Sequence, residues 1–204
     1  MKKIIFELGA NIGTDTQRLL NENPDSILYT FEPTHELLKD YIWPAFENNE
    51  RVKILPFAVD IVSGFKKFNV SAGHEMGCSS LYEFSDNIQE KWKNRLDFVT
   101  THSYYVPTIT MKDFCTLYNI NTIDYIHIDT QGNDLNCLMS FEDKINIVKE
   151  GKCEVAAKVE LYKNTNNQYT NVIKWLTDNG FNTSCNCDDP LNHMEVDINF
   201  KRKC

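Results

Sequence analysis

Short apolar runs rich in β-forming residues recur along this 204-residue chain with helical patterns between them, and that alternation admits few folds. The runs are IIFEL (4–8), ILYTF (27–31), VKILPFAV (52–59), IDYIHI (123–128) and EVAAKVEL (154–161). Helical spacing runs from Thr14 to Glu22, His35 to Asn48, Met111 to Tyr118 and Leu135 to Phe141, and returns in QYTNVIKWLTDNGF, where Gly180 suits a helix C-cap. Strands that alternate with helices pair in parallel through crossover connections. The expected fold class is therefore α/β: a Rossmann-like, doubly wound, mostly parallel sheet with helices on both faces. MEVDINF (194–200) alternates as a half-buried strand does and is expected as an antiparallel edge strand. SGFKKFNV (63–70) predicts a small extra strand after the third parallel one. From Ser71 to Thr101 no regular pattern holds, and so long an excursion in an α/β chain reads as a lid or substrate-binding segment. With no repeat or linker, residues 1–204 are read as a single domain carrying that lid at 71–101.

Hydrophobic residues at 42% supply a full core, and a formal charge of -8 argues against a partner gripped through its phosphate backbone, so no nucleic acid is expected. The first strand begins at about Lys2, leaving no room for a secretion signal, and no apolar stretch approaches the roughly 20 residues of a spanning helix. A soluble, cytoplasmic protein without a membrane span is expected. The seven cysteines (78, 115, 137, 153, 185, 187 and 204) are odd in number and scattered, which reads as mostly free thiols. CNCDDPLNH brings Cys185, Cys187 and His193 close in sequence but lacks a second pair at finger spacing, and is read as structural rather than a zinc site.

The end of the first run carries the chemistry. In ELGANIG, Glu7, Gly9, Asn11 and Gly13 fall where a strand hands over to a helix N-terminus, the ligand-binding end of a doubly wound sheet. GANIG supplies neither the glycine triplet of a dinucleotide site nor the Lys-Ser/Thr of a P-loop, and an acid two residues before the first glycine repels phosphate and welcomes an ammonium group. S-adenosylmethionine fits: an amino acid head, a ribose and an adenine, with no phosphate. Glu32, ending the second run about 20 residues beyond the turn, stands where a carboxylate can accept both ribose hydroxyls.

Taken together, ELGANIGTDT, FEPTHELL, PFAVDIVSG, GCSSL, VPTITMKDF, IDYIHIDTQGNDLNCL and NVIKWLTDNGF resemble, in order, the FkbM family of S-adenosylmethionine-dependent O-methyltransferases. The resemblance implies that Glu7, Gly9, Asn11 and Gly13 surround the amino acid end of the cofactor and that Glu32 holds the ribose. It implies that Ala58 and Asp60 lie by the adenine, and that Ser79 and Ser80 lie near the cofactor or lid. Two positions depart from the family's usual pattern: Gln131 and Asp134 stand where it has Glu.

A hydroxyl is a poor nucleophile, so its methylation calls for a base or a metal. Asp129, ending the fourth run, is the leading candidate for base or ligand of a divalent cation (Mg or Mn). Glu160, near the end of the fifth run, is the second carboxylate, again as ligand or base. His74, in the irregular segment, is a candidate base or substrate contact, and His127 shares a strand face with Asp129. Tyr82, Phe84, Trp92, Tyr104 and Tyr105 offer ring faces to a sugar or an apolar acceptor, or simply pack. The expected reaction is methyl transfer to a hydroxyl of a small molecule or glycan, with a sugar the favoured acceptor. RNA ribose, a secondary metabolite, or an inactive cofactor-binding role with a structural or regulatory partner are the alternatives.

Overall fold

The computed structural model describes residues 2–203 apart from 87, 93, 94 and 186. β1 (Lys3–Leu8), α1 (Thr14–Glu22) and β2 (Ser26–Phe31) form the first β-α-β unit. A helical stretch follows in three pieces, α2 (His35–Leu37), a π-turn at Leu38–Ile42 and α3 (Trp43–Phe46), before β3 (Val52–Leu55). A side layer comprises β4 (Ala58–Val59), β5 (Gly64–Ser71), α4 (Ile88–Lys91) and β6 (Thr100–Ile109). α5 (Met111–Leu117) then leads to β7 (Tyr125–Ile128), α6 (Asp134–Met139), β8 (Glu150–Ala156), α7 (Tyr169–Asp178), β9 (Phe181–Cys185) and β10 (Glu195–Arg202).

The main sheet has seven strands in the order β3-β2-β1-β7-β8-β10-β9, parallel from β3 to β8. β10 runs antiparallel to both β8 and β9, so β9 takes the edge and β10 lies one place in from it. Alternate side chains face different helices. Phe6, Leu8, Ile126 and Ile128 pack with Phe114, Leu138 and Leu176 of α5, α6 and α7, whereas Ile5 and Leu28 pack with Leu19, Ile42 and Phe46 from the α1 and α2–α3 side. The chain's direction of travel across the sheet reverses between β1 and β7. That switch point leaves a crevice beyond the carboxyl ends of the two strands, where the glycine turn and Asp129 both lie.

Four local departures from the sequence expectation have identifiable causes. The run at 52–59 breaks at Pro56, which has no N–H to give a ladder; β3 stops at Leu55, and Ala58–Val59 joins β6 in a separate three-stranded sheet, β4-β6-β5. The helix expected over 35–48 contains Pro44, which cannot donate to the carbonyl of Asp40, and the stretch loosens into its π-turn there. The strand expected at 154–161 lies earlier, at Glu150–Ala156. It contains Gly151, where a Cβ would come within 2.4 Å of the Ile126 carbonyl oxygen, so the glycine lets the two strands approach. β6, which runs out of the irregular segment, carries no signal that was read from sequence; it is held by pairing with β5, as in Lys67 against Tyr105. Among the described residues no helix is long and apolar enough to cross a membrane.

Candidate active site

A cleft opens at the carboxyl ends of β1, β2 and β7, the position at which doubly wound sheets bind ligands. Gly9 (φ +90) forms part of its wall, and Asn11 follows in the left-handed region (φ +50). The side-chain oxygen of Asn11 is buried with no hydrogen-bond partner among the described residues, a group that asks for a donor from a ligand. Opposite it, Glu32 is 4% exposed. Its Oε2 accepts from the Asn11 N–H at 2.8 Å and its Oε1 from the Thr34 N–H at 2.7 Å. Burial pushes its pKa up while those N–H groups hold it down. Each oxygen keeps a lone pair for a further donor, as a pair of ribose hydroxyls would supply. Among the described residues no Lys, Arg or His lines this cleft, which suits a ligand without phosphate.

Of the nine residues expected around the cofactor, Gly9, Asn11, Glu32, Ala58 and Ser79 line the cleft. The other four do not. Glu7 is fully buried beneath α1, where its Oε2 accepts from the hydroxyls of Thr16, at 2.7 Å, and of Thr30, and burial raises its pKa to about 7. Gly13 (φ +87) lets α1 start against Phe46, whose ring would be 2.6 Å from a Cβ there. Asp60 is buried and ion-paired with Lys66. Ser80 is buried and its hydroxyl donates to the Gln131 carbonyl at 2.7 Å. Phe57, Thr34, Thr130, Gln131 and Asn133 join the lining without having been read from sequence. The adjacency of the last three to Asp129 was the available signal.

A second cavity, of about 1020 Å³, meets the first along Met76, Gly77, Asp129 and Gln131. Asp129 is half-buried, accepts from Gln131 Nε2 at 2.7 Å through Oδ1, and has its pKa raised by burial. Ile128 and Cys153 are the last ladder pair of β7 and β8, so Asp129 and Glu154 are the next residues along the two strands. Glu154 also lines the cavity, and its side chain makes no hydrogen bond or ion pair among the described residues. Burial first, and then the Asp129 charge, raise its pKa to about 9. Glu195 of β10 lines the same wall, its pKa raised to about 7 by burial and by Asp129. Arg95, the cation at this cavity, is bound to Asp97 (Nε to Oδ1, 2.9 Å).

His74 lies exposed at the rim of this second cavity, its Nδ1 3.2 Å from the Tyr41 hydroxyl. Glu160 lies elsewhere: it is beyond the end of β8, exposed, and accepts from Gln168 Nε2 at 2.7 Å, lining neither cavity. The strand-end position expected for it belongs to Glu154, because β8 stops at Ala156. Asp129 and Glu160 are thus not brought together, and among the described residues no group of three or more His, Cys, Asp or Glu side chains could hold a metal ion. His127 pairs in register with Glu7, is buried away from both cavities, and has its pKa lowered to about 4 by desolvation. Tyr82, Phe84, Trp92, Tyr104 and Tyr105 line neither cavity; the first three pack against the cluster of Cys78, Phe98 and Tyr162. Six cysteines are free thiols, with Cys185 and Cys187 Sγ 2.7 Å apart, and Cys204 lies outside the described residues.

The sequence matches the methyltransferase FkbM domain over residues 7–183. No curated protein matches it. Among solved structures, a chain of the fibrillarin/Nop5p complex is similar to 99% of this chain, over 73% of its own length, with 14% identity and a TM-score of 0.52. Precorrin-6y C5,15-methyltransferase from Geobacter metallireducens GS-15 is similar over 100% of this chain and 82% of its own, with 11% identity and a TM-score of 0.52. The methyltransferase domain of bacterial CtHen1-C is similar over 100% and 90%, with 12% identity and a TM-score of 0.51. At these identities the likeness is one of fold.

Proposed function

The chain belongs to the FkbM methyltransferase family and is an S-adenosylmethionine-dependent methyltransferase; from that premise we propose that it methylates a hydroxyl of a sugar or glycan. The observation that carries this reading is Asp129, a carboxylate on the wall shared by the cleft that holds Glu32 and Asn11 and a larger second cavity.

In this reading Glu32 accepts from the ribose hydroxyls, Asn11 offers its unpartnered oxygen to a cofactor N–H, and Gly9 lets the backbone come close. Phe57 and Ala58 supply an apolar wall for the adenine. When bound, S-adenosylmethionine supplies a methyl group on a positively charged sulfur, which keeps the electron pair of the bond that breaks. The protein's part is alignment and proton removal. Asp129 takes the proton of the acceptor hydroxyl as the hydroxyl oxygen gains the methyl group. Glu154, Glu195 and Glu75 line the acceptor side with groups that hydrogen-bond to hydroxyls, and Arg95 there is already bound to Asp97, which favours an uncharged polyol over RNA. His74 at the rim is assigned to acceptor contact rather than to proton transfer. Residues 71–101 bring Met76, Gly77 and Ser79 to the cofactor cleft and act as its lid.

Calorimetric titration with S-adenosylmethionine and S-adenosylhomocysteine, with NAD as control, tests the cleft. Transfer of a labelled methyl group to a panel of free sugars and oligosaccharides, run with EDTA, Mg2+ or Mn2+, tests the acceptor and any metal requirement. Binding of the first two ligands followed by label on a sugar hydroxyl is the expected result. Label on nitrogen, or on no member of the panel, removes the sugar-hydroxyl assignment.

A further inference from the structure

Gln131 is fixed from three directions. Its backbone is left-handed (φ +54) and its carbonyl accepts from the Ser80 hydroxyl at 2.7 Å. Its side-chain Oε1 lies 2.8 Å from the hydroxyl of Tyr162, which also reaches the Cys78 carbonyl at 2.9 Å. Tyr162 itself is 3% exposed and packed on Gly132, where a Cβ would come within 2.6 Å of its ring. This tyrosine has no freedom to move aside.

An amide has one accepting end and one donating end. An ionised carboxylate only accepts, so Asp129 takes the donating end of Gln131, and Oε1 is left facing the Tyr162 hydroxyl, whose proton is shared between it and the Cys78 carbonyl. Nε2 meets Oδ1 of Asp129 at 2.7 Å. Oδ2 of Asp129 makes no hydrogen bond among the described residues, and Asp129 borders both cavities. Thus one oxygen is held and the other is presented.

We infer that Gln131, locked by Tyr162 and Ser80, is a positioning residue that orients Asp129 and turns its Oδ2 toward the methyl acceptor. This rests on the reading of Asp129 as the proton acceptor and adds the residue that sets its direction. The charged and titratable groups around the pair are mostly acids, Asp15 on α1, Glu154 on β8, Glu195 and Asp197 on β10 and Asp134 on α6, with Lys152 on β8 the opposing cation. A neutral donor beside Asp129 favours the ionised carboxylate there, which a second acid in the same place would oppose.

The test uses Gln131→Met, which keeps the shape without the amide, and Tyr162→Phe, which keeps the ring without the proton. First, in ligand-free protein, the side-chain amide protons of Gln131 are followed by 1H–15N NMR. One is expected well downfield, and to return to the ordinary range in Asp129→Ala. An amide that ignores Asp129→Ala overturns the inference. Second, kcat, the acceptor KM and S-adenosylmethionine affinity are measured with a sugar that the wild-type protein methylates. Gln131→Met is expected to lower kcat on the order of tenfold or more, with cofactor affinity and melting temperature near wild type, and Tyr162→Phe to fall between. An unchanged kcat, or a loss matched by lost affinity or stability, overturns the positioning role. If the wild-type protein binds no S-adenosylmethionine or methylates no sugar, it is the proposed function that fails, and the amide resonance still decides whether Gln131 directs Asp129.

Discussion

Gly9 and Asp129 touch through their backbones: a Cβ on Gly9 would lie 1.9 Å from the Asp129 carbonyl oxygen. The glycine of the opening turn is therefore required before any ligand is considered, because it lets the ends of β1 and β7 close at the switch point. The same contact sets where Asp129 emerges.

Gly9→Ala follows directly. The substitution meets both a clash with backbone and a φ of +90 that side chains resist, so unfolding free energy is expected to fall by about 2–3 kcal/mol, read by urea denaturation. A change under about 0.5 kcal/mol would mean that the two strand ends separate freely.

Glu32→Ala removes the acceptor of two backbone N–H groups as well as the ribose contact. S-adenosylmethionine affinity is expected to drop about 10- to 100-fold in calorimetry, in line with a lost charged hydrogen bond of about 1.5–3 kcal/mol. Unchanged affinity would remove Glu32 from the cofactor site.

Asp129→Asn separates binding from chemistry. Methyl transfer is expected to fall about 10²–10⁴-fold while cofactor affinity stays within a few-fold, since the substitution preserves shape. Glu160→Ala is the matched control, expected to be silent because that residue lies outside both cavities. Loss of turnover in Glu160→Ala with Asp129→Asn active would reverse the two assignments.

Glu154 makes stability depend on pH in a definite direction. Its pKa is raised from 4.5 to about 9 in the folded protein, so between those values the folded state holds a proton that the unfolded state has released. Its contribution to stability is fully present below about pH 4.5 and lost as pH climbs through about 9. Glu154→Gln removes that loss, and its melting temperature is expected to exceed wild type by a margin that widens from pH 5 to pH 9. A constant or shrinking margin would mean that Glu154 is ionised and solvated in the folded protein.

Much of this was legible in the amino-acid order because it depends on local rules. The spacing of apolar residues set the parallel, doubly wound core; Gly9 and Asn11 marked the turn; and Glu32 stood at the right distance to reach the cleft from β2. Family membership came from the same motifs. Local rules failed where a distant partner decides. Gly151 lets β8 start earlier than the apolar run, against Ile126, and β8 ends at Ala156 rather than Leu161, which makes Glu154 rather than Glu160 the second carboxylate. Asp60 reads as a site acid until Lys66 neutralises it. Gln131 reads only as a departure from an expected acid, because its partner Tyr162 lies 31 residues away. The sequence by itself determined the parallel core strands β1, β2, β3 and β7 and where the cleft opens, since backbone periodicity and turn stereochemistry act over a few residues. Only the tertiary structure decided which side chains face that cleft, since hydrogen bonds and close packing are settled between segments that meet when the sheet assembles.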